Sequence, residues 1–166
     1  MYYIYIYIYI HSCCCVLWQL SQSVEFDYIL LHFLTLNEHL LLHIAYIHSI
    51  ISYGIIFWGN QPYSDKTFKI HKRVIRIITN SRLRDPCREL FKNLEILPLY
   101  SQYIYSISIY VVKNKHLFHT NNQIHSIHTR FKTNLHPPRA NLTKFQKGVH
   151  YLAVNIFNNL CMKSKT

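Results

Sequence analysis

At 166 residues the chain is long enough for one domain with a core of its own, and its 18 Lys and Arg against 7 Asp and Glu give a formal charge of +11. The five cysteines contain no C-x-x-C pair, and the three glycines (Gly54, Gly59, Gly148) stand apart. A zinc ribbon, a dithiol redox motif and a Gly-rich phosphate loop are thereby excluded. The charge is also unevenly placed. Residues 1–60 hold no Lys or Arg and only Glu25, Asp27 and Glu38, whereas residues 61–166 hold all 18 basic residues and four acids, a charge of +14. Such a division marks a composition boundary between about residues 40 and 60. The basic portion calls for a polyanion, nucleic acid first because phosphate contacts release counterions, an anionic membrane surface second. The alternative is an ordinary solvated basic surface.

In chain order, Tyr2–Ile10 reads YYIYIYIYI. Period-two alternation suits a strand, but both faces would be apolar and prone to aggregate. A TATATA microsatellite read in frame encodes the same pattern, and Cys13-Cys14-Cys15 follows it directly. Residues 1–40 are therefore expected to be low-complexity sequence without a dedicated function. No Lys or Arg precedes Lys66, so a secretory n-region is missing. The odd cysteine count suggests reduced thiols and an intracellular setting, nuclear or cytoplasmic.

The run from His39 to Gly59 has no Asp, Glu, Lys or Arg and is long enough for a membrane span. Its histidines, His39, His43 and His48, argue against one, since imidazoles are costly in hydrocarbon. Residues 40–59 are instead expected to form a buried helix on Leu41, Ile44, Ala45, Ile47, His48 and Ile51, turning at Tyr53-Gly54 and ending at Trp58-Gly59-Asn60.

The clearest helix follows. Ser64 is a candidate N-cap, and Phe68, His71, Val74, Ile75 and Ile78 form one apolar stripe over 65–78. Lys66, Lys69, Lys72, Arg73 and Arg76 fill the opposite arc. Asp65 suits the positive end of the helix dipole, and Asn80 the left-handed position after the last turn. Ser81–Arg84 is a basic loop. Asp85 (N-cap) and Pro86 (N1) predict a short helix to about Asn93 that buries Leu90 and Leu94. Pro98 opens a further helix on Tyr100, Tyr103, Ile104, Ile107 and Val111, ending near Phe118. Residues 119–142 lack periodicity and read as an extended loop around Pro137-Pro138. A last amphipathic segment, 145–160, places Val149, Leu152, Ala153, Ile156 and Leu160 on one side, before an unstructured tail at 161–166.

Two-metal phosphoryl transfer needs carboxylates that converge on hard cations. The aspartates here are only Asp27, Asp65 and Asp85, far apart, and the last two read as helix starts. No catalytic residue, metal or cofactor is assigned, and the chain is expected not to be an enzyme. His39 with His43, and His125 with His128, have helical spacing for a shared metal but no third ligand. Cys87 has no base tied to it. The feature that stands out is the basic helix and loop, where eight of the 18 basic residues fall within 66–88. Lys66, Lys69, Lys72, Arg73, Arg76, Arg82 and Arg84 are the candidate nucleic-acid contacts.

The order of motifs SYGIIFWGN, HKRVIRIIT, RDPCRELFKNLEILPLYSQYIYSISIYVVKN, HTR and NLHPPRANLTKFQKGVHYLAVNIFNNL resembles the C-terminal part (thumb and post-thumb) of reverse transcriptases from jockey-type non-LTR retrotransposons. The resemblance covers roughly residues 41–160 and rests on many short motifs in one order. It implies a mainly α, thumb-like helical bundle whose basic helix grips an RNA/DNA template-primer duplex. The catalytic aspartates and their Mg2+ would belong to an upstream palm. Residues 1–40 have no counterpart, and Cys161 stands where the family continues with Pro. Both ends therefore read as junctions, and the expectation is a remnant of an RNA-directed DNA polymerase with at most residual nucleic-acid binding. The competing expectation is a small membrane protein with one span at 39–59 and a basic cytoplasmic domain.

Overall fold

The computed structural model describes residues 43–125 and 130–163. Among them the chain is mainly helical, and the only extended pairing is an isolated antiparallel bridge between Thr120 and Leu135. The expected segment 1–40 and the tail beyond Lys163 lie outside the described residues, as do His39 and His128. The chain divides into two compact units between Gln102 and Tyr103, and each is described by itself.

The first unit begins with the apolar stretch. The single helix expected over 40–59 is instead three short pieces: a π-helical turn at His43–His48, α1 at Ser49–Ser52 and α2 at Ile55–Trp58. The break falls at Tyr53-Gly54, the pair expected to turn the chain. Tyr53 is extended (ψ 110°) and Gly54 takes a φ of +60°, where any side chain would be strained. The Trp58 indole N–H donates to the Tyr53 carbonyl at 2.9 Å and fixes the corner. Ile47, Ile51, Ile55 and Trp58 are all buried, so one apolar stripe runs through the break. No helix among the described residues is long and apolar enough to cross a membrane.

Next, α3 spans Ser64–Ile78. Ser64 does not cap it. Tyr63 already has helical dihedrals (φ −76°, ψ −17°) and occupies the cap position without a side-chain bond, while Ser64 is buried in the first turn. The apolar stripe is as expected: His71, Val74, Ile75 and Ile78 are buried, joined by Thr67, with Phe68 half-buried. The helix ends in a Schellman motif. Asn80 is left-handed (φ 49°), its N–H donates to Ile77 O at 3.0 Å, and Ser81 N–H donates to Arg76 O at 2.9 Å.

In α4, Cys87–Asn93, the expected cap is again not made. Asp85 turns back instead, and its Oδ2 accepts the Arg82 backbone N–H at 2.8 Å. Pro86, with ψ 120°, then precedes the first helical residue. The inward line is Cys87 and Phe91, whereas Leu90 and Leu94, expected to be buried, are only half-covered. The reason is rotational. Cys87 Sγ rests on the Lys72 carbonyl of α3 (3.8 Å), which sets the Cys87–Phe91 line against Ile75 and Ile96. A second Schellman motif ends α4: Glu95 has φ 56°, its N–H reaches Lys92 O at 3.1 Å, and Ile96 N–H reaches Phe91 O at 3.0 Å.

From Pro98, whose carbonyl accepts the Gln102 N–H at 3.0 Å, α5 runs Leu99–Lys113. Its first turn completes this unit. Leu99 is buried, and Gln102 Nε2 donates to Ser52 Oγ (2.6 Å), which donates to the His48 carbonyl (2.6 Å). Tyr100, expected inward, is exposed.

In the second unit the rest of α5 buries Tyr103, Ile107 and Val111, while Ile104 is exposed rather than inward. The helix stops at Lys113, short of the expected Phe118. A 3-10 turn at Lys115–Leu117 then delivers Phe118 to the core, edge-on to Tyr110 and stacked on His150 at 4.5 Å. The stretch expected to be an extended loop is more ordered. It holds a one-turn α6 at Asn121–Ile124, and backbone bonds from Asn121 to Asn134, Asn122 to Lys132 and His136 to His119 pair its two limbs. Asn158 clamps this region: its side-chain amide donates to Leu135 O and accepts Leu135 N–H, both at 2.9 Å. The expected 145–160 helix is two elements, α7 at Thr143–Gln146 and α8 at Val149–Lys163, parted at Gly148. There a Cβ would come within 2.9 Å of the Phe145 carbonyl. Ala153 and Val154 are the buried residues of α8, and Leu160, expected inward, is exposed.

Candidate nucleic-acid interface

The seven candidate contacts all lie in the first unit. At about 100° per residue, Lys66, Lys69, Lys72, Arg73 and Arg76 occupy an arc of about 120° on α3, opposite the buried line of Thr67, His71, Val74 and Ile78. One face therefore anchors the helix and the other presents charge.

The seven sequence-predicted cations are not equivalent. Lys66, Lys69, Arg73, Arg82 and Arg84 are exposed. The Lys69 and Arg73 side chains make no hydrogen bond, ion pair or ring contact among the described residues. Lys66 Nζ sits 5.5 Å from the Tyr63 ring centroid. Lys72 is half-buried, with Nζ 4.2 Å from the centroid of the Phe68 ring, so its stem packs while its charge remains. Arg76 has a structural task. Its Nε and Nη2 donate to the Asp85 carbonyl at 3.2 and 3.1 Å, tying the end of α3 to the loop that precedes α4. Only part of its guanidinium remains for a ligand.

The two acids of this stretch are both occupied. The Tyr100 hydroxyl donates to Asp65 Oδ1, and that hydrogen bond to the carboxylate, with burial, raises the Tyr100 pKa. Asp85 Oδ2 holds the Arg82 N–H. Among the described residues neither carboxylate forms an ion pair with a cation of the arc.

Sequence reasoning missed three features. The Arg76–Asp85 tie joins residues nine apart and has no local signature. The Tyr100–Asp65 bond spans 35 positions. The third is Leu83 between two arginines, whose apolar side chain in a polar loop is visible in the sequence. Among the described residues no three of His, Cys, Asp and Glu lie close enough together to hold a metal ion. His125 and His136 meet ring to ring at 5.2 Å, with His136 Nδ1 hydrogen-bonded to Asn121 Oδ1 at 3.0 Å. An open groove of about 320 Å³, lined by Arg88, Phe91, Lys92, Ile96, Leu97 and Pro98 among others, lies beside α4. No protein-family model, curated protein or solved structure matches the chain.

Proposed function

We propose that this chain descends from the C-terminal region of a jockey-type non-LTR retrotransposon reverse transcriptase and binds nucleic acid through the α3 cationic arc without catalysing chemistry on it. The observation that carries the binding half is the pairing of an anchored apolar stripe with an opposite arc of cations, of which Lys69 and Arg73 have no partner among the described residues. A phosphodiester backbone is the ligand that such a surface suits, because it presents regularly spaced negative charge and releases counterions when neutralised. The family origin rests on the motif order in residues 41–160. The absence of activity rests on the sequence, in which no two aspartates are adjacent and Asp65 and Asp85 serve the local fold.

The test is a salt titration of the purified full chain on an RNA–DNA hybrid duplex. If about five phosphates are contacted, log Kobs falls with log salt at a slope near −4.5. The double variant K69E/R73E is expected to lose binding while keeping its thermal melt. Undiminished binding by that variant refutes the assignment of the arc, and Mg2+-dependent nucleotide incorporation by the full chain refutes the non-catalytic reading.

A further inference from the structure

The loop between α3 and α4 displays a leucine that nothing in the fold requires. Leu83 is 77% exposed, the most exposed of the large apolar side chains described. It is not carried on a slack segment. Asp85 N–H donates to Arg82 O at 3.0 Å while Asp85 Oδ2 accepts Arg82 N–H at 2.8 Å, closing a tight turn with Leu83 and Arg84 at its tip. Two further ties hold that turn to α3: the Arg76 guanidinium on the Asp85 carbonyl, and a 2.8 Å bond between the hydroxyls of Thr79 and Ser81. Arg82 and Arg84, both exposed, stand on either side of the leucine. An apolar side chain held rigidly at a tip between two cations has the chemistry of a wedge. The arginines take phosphates or a groove edge, and the leucine enters between base steps.

From this we infer that Leu83 is an unstacking wedge on a nucleic-acid duplex, set by the Arg82–Asp85 turn at the end of the cationic arc. The inference rests on the proposed nucleic-acid reading. Charge complementarity favours a duplex: Arg82 and Arg84 flank the tip, and Lys69 and Arg73 of the same unit lie open on the helix leading to it. The turn is tied at both ends, so little conformational entropy is lost when it inserts.

The experiment places 2-aminopurine within the DNA strand of a short RNA–DNA hybrid and follows its fluorescence as the full chain binds. Wild type and L83M are expected to raise the fluorescence by unstacking the probe base. L83S is expected to bind about tenfold more weakly, the scale of one withdrawn leucine, to give no rise, and to keep the wild-type salt slope because no phosphate contact is lost. At 77% exposure the serine leaves the thermal melt unchanged, which separates loss of the wedge from loss of fold. A fluorescence rise with L83S, or none with saturating wild type, overturns the wedge. So does a result in which L83S weakens binding to phosphatidylcholine–phosphatidylserine vesicles but leaves the hybrid signal intact, since the leucine then serves a lipid surface. K69E/R73E keeps the two failures apart. If it abolishes hybrid binding while L83S behaves as wild type, the wedge falls and the nucleic-acid reading stands. If neither variant alters binding, both fall.

Discussion

Arg76 and Arg73 carry the same charge three residues apart on one helix, yet their removal should have opposite consequences. Arg76→Ala deletes two hydrogen bonds from a guanidinium to the Asp85 carbonyl, at 3.2 and 3.1 Å in a partly buried setting. Hydrogen bonds from charged groups contribute about 1.5–3 kcal/mol in favourable cases. Partial exposure discounts that, so the substitution is expected to cost about 2 kcal/mol. For a unit of this size about 1 kcal/mol shifts Tm by about 4–8 °C, which makes the loss easy to see in a thermal melt followed by circular dichroism. Arg73→Ala removes an exposed side chain without a partner among the described residues and should stay within about 0.5 kcal/mol of wild type. On a hybrid duplex the order reverses. Arg73→Ala should flatten the log–log salt slope by about 0.9, one phosphate contact, and Arg76→Ala by less when measured below its own melt. Equal melts for the two variants together with equal slope changes would refute the division between structural and ligand-facing cations.

Three other expectations follow from the geometry. Glu95 sits at φ 56° after α4 without the freedom of glycine, so Glu95→Gly should stabilise the chain by roughly 0.5–1 kcal/mol, the left-handed penalty less the added entropy of the unfolded glycine, measurable by urea titration. Thr67 is fully buried and among the described residues its Oγ1 has no hydrogen-bond partner, so Thr67→Val, nearly the same shape without the hydroxyl, should raise stability by about 1 kcal/mol; a destabilised variant would mean that the hydroxyl is satisfied. Burial pushes Tyr103 up to about 12 from 10.0. Between those values the unfolded chain has released this proton and the folded chain has not. The contribution is therefore complete below pH 10 and is lost as pH rises towards 12, an alkaline destabilisation of up to about 3 kcal/mol that Tyr103→Phe should flatten in pH-dependent melts.

What was legible in the sequence is what local periodicity and turn chemistry determine. The stripe on α3, the turn at Tyr53-Gly54, the left-handed Asn80 and the role of Pro98 follow from residue types within a few positions of one another. The failures share another cause. Ser64 and Asp85 look like caps, but each is drawn away by a neighbour: Tyr63 is already helical, and Asp85 closes a turn on Arg82. Leu90, Leu94, Tyr100, Ile104 and Leu160 belong to apolar lines that span roughly 40–100° of their helices, and only part of each is buried. Which side of such a line faces inward is decided by contacts such as Cys87 on the Lys72 carbonyl and Asp65 on the Tyr100 hydroxyl, which periodicity does not encode. In the candidate interface the cationic arc was legible because it is the complement of the apolar stripe. The commitment of Arg76 and the exposure of Leu83 depend on how the loop at 81–86 folds back.

That fold-back also decides what the charged side chains of this stretch bond to. Residues 64–85 contain seven Lys and Arg and two Asp, a charge of +5. On α3, Asp65 stands four residues before Lys69, a spacing at which opposite charges on a helix attract. Asp65 accepts instead from a tyrosine hydroxyl and Asp85 from a backbone N–H, so among the described residues neither carboxylate is ion-paired with the arc. Arg76 reaches a carbonyl oxygen, so a cation serves the structure without cancelling an acid.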